Sequence, residues 1–236
     1  SGQPGRAAQS LPSRMKIAWL RARRWFYGRK HPGAPFDALL AGELPGPKTE
    51  FPDAEFVSLD IETTGLDANT ADMISVGWVI VRNGKVDLST TESYIVRPSG
   101  DVGNSASVHG LTDTVVGEGL DWGIVLDKII RVLTGRVLLV HHAGLDKVLL
   151  DRMCMRRFAS RLWVPVVDTL ALEQRRQQQT HHIESGASLR LADLREAYSL
   201  PRYSAHDCLV DAIATAELLI AIAAHRKLNL LGDLIS

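Results

Sequence analysis

The sequence has few cysteines and no long apolar run. Its two cysteines, Cys154 and Cys208, lie far apart and outside any metal-ligand spacing, which favours buried thiols in a reducing cytoplasm over a disulfide framework. No stretch approaches the roughly 18 apolar residues that a membrane-spanning helix requires. The basic N-terminal stretch also lacks the apolar core and cleavage site of a signal peptide. With 45% hydrophobic residues in 236, we expect a soluble, cytoplasmic globular protein without a transmembrane segment.

The net charge is zero, but the two signs are unevenly distributed. Residues 1–48 contain nine Lys or Arg and two Asp or Glu, whereas the remaining residues contain eighteen and twenty-five. This asymmetry predicts a basic N-terminal extension over 1–48, closed by a Pro/Gly-rich linker, and an acidic main domain over 49–236. An acidic domain suits an anionic substrate only if bound cations invert the local charge.

The extension contains a predicted basic amphipathic helix over 11–29, with Trp19 at the margin of its apolar face. This helix could pack on the main domain, or it could contact nucleic acid, a partner protein or a membrane surface. The apolar face would consist of Leu11, Met15, Ala18, Ala22, Trp25 and Phe26.

The main domain begins with strand-like runs and continues with alternating strand and helix patterns. Asn83-Gly84 lies between two apolar runs, which is a strong signal for a tight β-hairpin. This order is typical of an α/β domain with a mixed sheet. We expect strands over 56–59, 73–81, 86–96, 137–140 and 162–167, and helices over 122–133, 144–158, 169–179, 189–198 and 207–225.

Two carboxylates end the first strand of this domain. Asp60 and Glu62 are one residue apart, so their side chains point to the same side of the sheet. Two such acids repel each other unless a cation lies between them. Oxygen ligands favour Mg²⁺ or Mn²⁺.

Further acids occur where an α/β sheet would return them to this pair. Asp146 follows the strand over 137–140 and would lie in the first turn of the next helix, at the crevice that such sheets use for ligands. Asp211 would project from the first turns of the last long helix, and His206 would lie just ahead of that helix.

These residues resemble the three motifs of the DEDD superfamily of 3′-5′ exonucleases, in its histidine-bearing branch. The motifs are Asp60-x-Glu62, Asp146 and His206-x4-Asp211, and the nearest resemblance is to the epsilon-type proofreading exonucleases of bacterial DNA polymerase III. The similarity covers roughly residues 54–224. Four supporting segments also match: Thr63-Thr64-Gly65-Leu66, Val108-His109-Gly110-Leu111-Thr112, Val167-Asp168-Thr169 and Asp211-Ala212-x2-Ala214-Thr215-Ala216.

The resemblance implies a ribonuclease H-like mixed sheet flanked by helices and two divalent cations, Mg²⁺ or Mn²⁺, at the four carboxylates. It implies that Asp60 contacts both cations, that Glu62 and Asp211 complete one cation site, and that Asp146 serves the other. His206 would be the general base, since a neutral imidazole near pH 7 accepts a proton.

The resemblance also implies substrate-binding positions, each with a structural alternative. His142 departs from the Asn found in many relatives, and His141 would order its loop. Asp168 is expected to cap a helix. The candidates for substrate contact are Thr63, Leu66, His109 and His142, although Thr63 and His109 could equally serve turns.

The third motif allows a second alignment, because Tyr203-x3-Asp207 fits the tyrosine-bearing branch. We favour the histidine alignment, since it accounts for Asp211 and leaves Asp207 as the N-cap of the last helix.

The expected function is metal-dependent 3′-5′ hydrolysis of single-stranded ends, of DNA rather than RNA, in proofreading or repair. The partner would be a polymerase or another protein bound through the extension. The alternatives are an exoribonuclease and a non-catalytic nucleic-acid-binding subunit.

Overall fold

A computed structural model describes residues 12–30, 32–97, 119–179, 188–204 and 206–235. The strands in these ranges are β1 Phe56–Thr63, β2 Met73–Arg82, β3 Lys85–Arg97, β4 Leu120–Asp121, β5 Val137–Val140 and β6 Val166–Asp168. The α-helices are α1 Ser13–Gly28, α2 Phe36–Ala41, α3 Trp122–Leu133, α4 Asp146–Phe158, α5 Thr169–Gln179, α6 Leu191–Ala197, α7 Cys208–Arg226 and α8 Leu231–Leu234.

Within these ranges the strands form one six-stranded mixed sheet in the order β4-β3-β2-β1-β5-β6. β1 pairs antiparallel with β2 and parallel with β5, and β6 extends the parallel part. The carboxyl ends of β1, β5 and β6 therefore share one edge, which we call the catalytic edge. The amino ends of these strands form the opposite edge. This confirms the expected ribonuclease H-like α/β fold.

The β2–β3 hairpin forms where Asn83-Gly84 predicted it. Both residues have positive φ, 54° and 67°, as a type I′ turn requires. Two expectations needed adjustment. The strand expected over 162–167 is only Val166–Asp168, because Pro165 and the residues before it lie outside the sheet, and the short β4 was not foreseen.

The two faces of β1 explain how the sheet serves both stability and chemistry. Val57, Leu59 and Ile61 are buried in a core cluster with residues of α3 and α4. On the other face Phe56 packs in a second cluster with residues of α7. Since side chains alternate along a strand, Asp60 and Glu62 share the α7 face.

Helix α7 meets the length and composition criteria for a membrane-crossing helix, alone among the helices of the described residues. Half of its apolar window is buried in the protein, and Ala216 and Leu219 belong to the core cluster against β1. A core helix passes the same test. The expected absence of a transmembrane segment therefore stays a prediction.

Helix α1 forms nearly as expected, but the face predicted to be buried is the wrong one. Met15, Trp25 and Phe26 are 53%, 65% and 50% exposed. The face toward the domain instead carries Ile17 and Arg24, which are buried. Met15, Trp25 and Phe26 therefore face solvent, because the buried charged residue Arg24 makes the main contact with the domain.

Arg24 holds α1 at the opposite edge of the sheet. Its guanidinium donates to the carbonyl oxygens of Leu39, Leu40 and Gly42 around the end of α2, and to that of Trp163 before β6. Burial lowers the pKa of Arg24 to about 10, so the group stays cationic at neutral pH. Carbonyl dipoles thus replace the water that the charge loses.

Aromatic contacts complete this docking. Trp19 meets Trp163 edge-on with ring centroids 5.3 Å apart, and Tyr27 stacks on Trp163 at 5.4 Å. The helix therefore packs on the domain, as one of the expected alternatives had it. Phe36 and Leu39 of α2 are fully buried in the core cluster of α3 and α4. The division into 1–48 and 49–236 stays a prediction about folding units.

Candidate active site

The acids of β1 lie beside the first turn of α7 at the catalytic edge. Carboxylate oxygens of Asp60, Glu62 and Asp211, one from each residue, lie within 4.8 Å of one another. The sequence predicted that these three acids would meet, and the fold brings them together. All three are half-buried, so the cluster is open to a ligand on one side.

Two contacts on β1 and β2 let α7 come this close. Gly77 pairs with Asp60 across the strands, and a Cβ on Gly77 would lie 2.5 Å from the backbone nitrogen of Leu209. Any other residue at this position would push the helix away. Ser58 Oγ, fully buried, donates to the carbonyl oxygen of Ala212 at 2.7 Å, one residue beyond Asp211.

Two acids of this cluster, Asp60 and Asp211, have a raised pKa. Burial raises the pKa of Asp60 well above its ordinary value, and the charges of Asp211 and Glu62 raise it further. The pKa of Asp211 is also raised, mainly by burial, although its bond from the His206 N–H opposes this shift. A bound cation would remove this cost by pairing with the ionised forms.

Asp146 begins α4 directly after the β5 loop, as predicted. It is only 3% exposed, and burial followed by the charge of Asp60 raises its pKa well above the ordinary range. The fourth acid therefore belongs electrostatically to the same site.

Asp168 orders the loop that leads to Asp146. Its carboxylate caps α5 through the N–H of Leu170 at 3.0 Å, which confirms the expected capping role. It also accepts from the backbone N–H groups of His142 and Ala143, at 3.0 and 2.9 Å. This second role was missed.

His141 is a structural residue of the same loop. Its Nδ1 lies 2.7 Å from Thr169 Oγ1 and its Nε2 lies 3.0 Å from the carbonyl oxygen of Leu189. Burial lowers its pKa, so the imidazole favours the neutral form. The expected ordering role is confirmed.

The start of α7 favours the histidine alignment of the third motif. Asp207 caps α7 by accepting from the N–H groups of Leu209 and Val210, at 2.9 and 3.2 Å. The backbone N–H of His206 donates to Asp211 Oδ2 at 3.0 Å, and the His206 side chain is exposed. Tyr203 instead directs its hydroxyl to Glu217, 3.0 Å away.

A cleft of about 770 Å³ opens over Asp60 and Asp211 and is also lined by His142 and His206. Thr63 is buried and donates to the carbonyl oxygen of Gly65, so it serves the turn after β1. Leu66 is 94% exposed at that turn. His109, the fourth candidate for substrate contact, lies outside the described residues.

The family comparison agrees with this geometry. The family model named RNase_T and described as "Exonuclease" matches residues 57–219, which is more than half of the chain. The chain belongs to this exonuclease family. The resemblance to DEDD-type 3′-5′ exonucleases predicted from the motifs is thereby confirmed.

Curated relatives of the exonuclease are DNA polymerase III proteins. A PolC-type DNA polymerase III of Thermotoga maritima is 28% identical over 174 residues, which is 72% of this chain and 12% of that protein. A DNA polymerase III subunit epsilon-like protein of Rhodobacter capsulatus is 28% identical over 188 residues, which is 77% of this chain and 26% of that protein. The chain thus spans only a fraction of these relatives.

Solved structures of nucleases share the fold of the exonuclease. Product-bound exonuclease I matches with a TM-score of 0.64 at 16% identity, covering 77% of this chain and 45% of that one. The cell-death related nuclease 4 matches with a TM-score of 0.59 at 15% identity, covering 74% and 65%.

The fold also shows which residues of the exonuclease site the sequence reasoning missed. Gly77 and Ser58 bring α7 to β1, although neither belongs to a motif. A glycine inside an otherwise apolar strand could have been noticed, because it marks a close approach of another backbone. No sequence signal distinguishes Ser58, whose partner is more than 150 positions away.

Proposed function

We propose that this exonuclease removes nucleotides one at a time from single-stranded or frayed 3′ ends of DNA and releases nucleoside 5′-monophosphates. The observation that carries the proposal is the group of Asp60, Glu62 and Asp211, whose carboxylate oxygens lie within 4.8 Å of one another in an open cleft. Hydrolysis of a phosphodiester needs an activated water and a stabilised leaving oxygen, and such a group of acids supplies neither by itself.

The donors at this site fit two Mg²⁺ or Mn²⁺ ions. All are carboxylate oxygens, which these hard cations prefer, and burial together with the charges of Asp211 and Glu62 raises the pKa of Asp60, a shift that a bound cation would oppose. We propose that Asp60, Glu62 and Asp211 hold one cation and that Asp60 and Asp146 hold the other. Bound cations would acidify a water molecule and stabilise the charge that develops on the phosphate oxygens.

His206 is proposed as the general base. Its side chain is exposed beside the cleft, and its backbone is fixed to Asp211. An imidazole near neutral pH can accept the proton of the attacking water. His206→Ala should lower kcat by about 10²- to 10⁴-fold, whereas Tyr203→Phe should retain hydrolysis. Loss of hydrolysis in the Tyr203 variant alone would support the tyrosine alignment.

Substrate contacts are proposed on both sides of the acids. Leu66 exposes an apolar side chain at the turn after β1, suited to contact a terminal base, and Thr63 shapes that turn. His142 borders the cleft beside Asp60 and could contact the scissile strand. His109 is proposed for the terminal nucleotide from the motif alone.

DNA is proposed as the substrate because the similar proteins are DNA polymerase III proteins or bind single-stranded DNA. The curated relatives are DNA polymerase III proteins, and one of the matching structures, at a TM-score of 0.63 and 16% identity, is an Escherichia coli exonuclease I complex with single-stranded DNA. A role in proofreading or repair, in the cytoplasm, would follow from such relatives.

The test is a time course on matched DNA and RNA oligonucleotides, labelled at either end, single- or double-stranded, with Mg²⁺, Mn²⁺ or chelator. We expect early release of a 3′-labelled mononucleotide and progressive shortening of the 5′-labelled strand, only with metal. Asp60→Asn serves as the inactive control and Asp53→Asn, an exposed acid at the opposite edge, as the active one. Faster cleavage of RNA would support the exoribonuclease alternative. Binding without mononucleotide release in Mn²⁺ would support a non-catalytic subunit.

We also propose that a protein partner, such as a polymerase, binds the exposed face of α1. That face carries Trp25, Phe26 and Met15, and α1 contains no acidic residue. The PolC-type relatives are polymerases that contain a region similar to this chain, which supports a polymerase as the partner. Because α1 lies at the opposite edge, a partner there would leave the cleft open.

A further inference from the structure

Arg195 is a buried cation in the wall of the cleft at the proposed active site. It lies on α6, is 2% exposed, and belongs to none of the sequence motifs. A buried guanidinium is costly unless its donors are satisfied. The partners of Arg195 therefore indicate what its burial achieves.

Arg195 connects α6, α7 and the segment between them. Its Nη1 donates to the carbonyl oxygen of Ala214 at 2.7 Å, on the turn of α7 that follows Asp211. Its Nη2 donates to the carbonyl oxygen of Pro201 and to Glu217 Oε2, both at 2.9 Å. One side chain thus links the α6–α7 segment to the helix that carries Asp211.

Tyr203 adds a second link to the same segment. Its ring lies 4.4 Å from Arg195 Cζ, a cation–π distance, and its hydroxyl donates to Glu217 Oε1 at 3.0 Å. Arg195 and Tyr203 therefore bind the two oxygens of one carboxylate. We call Arg195, Tyr203 and Glu217 the clamp.

His206 lies three residues beyond Tyr203, in a backbone conformation that depends on its surroundings. Its φ is 73°, in the left-handed region that costs a non-glycine residue energy. Its N–H is bonded to Asp211 Oδ2 at 3.0 Å. Such a conformation persists only where neighbouring contacts hold it.

We propose that Arg195 is a positioning residue for hydrolysis, which acts by holding Tyr203 against α7 so that His206, three residues further on, stays beside Asp211. This inference rests on the proposed function of His206. In this role Arg195 is not a metal ligand, and it sets the geometry of the base while the acids bind the metal.

The first test measures kcat, KM and Mn²⁺ affinity for Arg195→Met, alone and combined with His206→Ala. We expect Arg195→Met alone to lower kcat by roughly 10- to 100-fold, with Mn²⁺ affinity within about twofold of wild type. In the His206→Ala background, Arg195→Met should lower kcat by no more than about twofold, because residues that act as a unit are not additive. An equal loss in both backgrounds would overturn the proposal.

Arg195→Lys separates position from charge. Lysine keeps the positive charge but has a single nitrogen. Arg195 uses two nitrogens to donate to three acceptors, which one lysine nitrogen cannot reproduce in the same geometry. We expect kcat close to that of Arg195→Met. Recovery to the wild-type kcat would show that charge alone matters and would refute the clamp.

Hydrogen exchange provides a readout that does not depend on hydrolysis. In wild type the His206 amide is protected by its bond to Asp211, and in Arg195→Met it should exchange at least about tenfold faster while the core amides of α7 stay protected. Tyr203→Phe should give a smaller increase. Unchanged exchange at His206 refutes the clamp even if the wild type proves inactive on every oligonucleotide, a result that would separately refute the proposed function.

Discussion

The two edges of the sheet differ in whether the protein itself compensates the charged side chains that it buries there. At the catalytic edge Asp60, Glu62 and Asp211 lie side by side, and burial with mutual repulsion raises the pKa of Asp60. At the opposite edge Arg24 is buried, and four backbone carbonyl oxygens accept its hydrogen bonds.

This difference distinguishes a ligand site from a structural contact. Arg24 is satisfied by the protein, so its removal should affect folding alone. Burial and neighbouring charge disfavour the ionised form of Asp60, and the proposed cation would offset this cost, as at other sites kept for function. Substitutions at the two edges should therefore separate activity from stability.

The largest effect is expected from Asp60→Asn at the catalytic edge. Because Asp60 is proposed to contact both cations, hydrolysis of a labelled oligonucleotide should fall by at least about 10³-fold with Mg²⁺. Asp53→Asn at the opposite edge should leave the rate within about twofold. Comparable rates for Asp60→Asn and wild type would contradict the proposed site.

The second largest effect on hydrolysis is expected from Gly77→Ala. Its Cβ would lie 2.5 Å from the nitrogen of Leu209 and 2.6 Å from its Cα, so α7 must move and carry Asp211 away from Asp60. We expect roughly a 10- to 100-fold lower kcat and a loss of about 1–3 kcal/mol in the free energy of unfolding. Gly28→Ala is the matched control, since the nearest atom there is at an ordinary 3.9 Å.

Arg24→Met should break the opposite edge without harming the chemistry. The variant leaves carbonyl oxygens near Leu39 and Trp163 without their donor, and we expect a loss of about 2–5 kcal/mol in denaturant unfolding. The kcat per folded molecule should stay at the wild-type value. Arg21→Met, which removes one bond to the Leu44 carbonyl oxygen, should cost about 1 kcal/mol or less. A lower kcat in Arg24→Met would link the two edges.

The pH dependence of stability should reveal the repulsion at the catalytic edge. The folded pKa of Asp60 is raised above its unfolded value, so without metal the ionised carboxylate destabilises the fold as pH rises through the folded pKa. In chelator at pH 7.5, Asp60→Asn should melt roughly 2–6 °C above wild type. The difference should vanish below about pH 3, where Asp60 is mostly protonated in both states, and saturating Mg²⁺ should reverse it.

The smallest effect is expected on the exposed face of α1. Trp25→Ser with Phe26→Ser should change the free energy of unfolding by about 0.5 kcal/mol or less and leave kcat unaltered, because both side chains are largely exposed. Binding to a polymerase partner, measured by surface plasmon resonance, should weaken at least about tenfold. Unchanged binding would move the partner surface elsewhere.

Much of the fold could be predicted because the signals were local. The Asn83-Gly84 turn, the apolar run of β5 and the cap of α7 at Asp207 each depend on a few adjacent residues. Contacts between distant segments were harder. The outward face of α1 was misjudged because Arg24 meets carbonyl groups up to 139 positions away.

By itself, the sequence determined the order of the strands and helices and the identity of the acids, because hydrophobic period and motif spacing are properties of the chain. The motifs predicted that Asp60, Glu62 and Asp211 would share one site, but only the tertiary structure decided how they meet, since α7 must contact Gly77 to bring Asp211 close. The tertiary structure also decided the role of Arg195. From the sequence alone an arginine is expected to be exposed, and only the fold brings its three acceptors together around it.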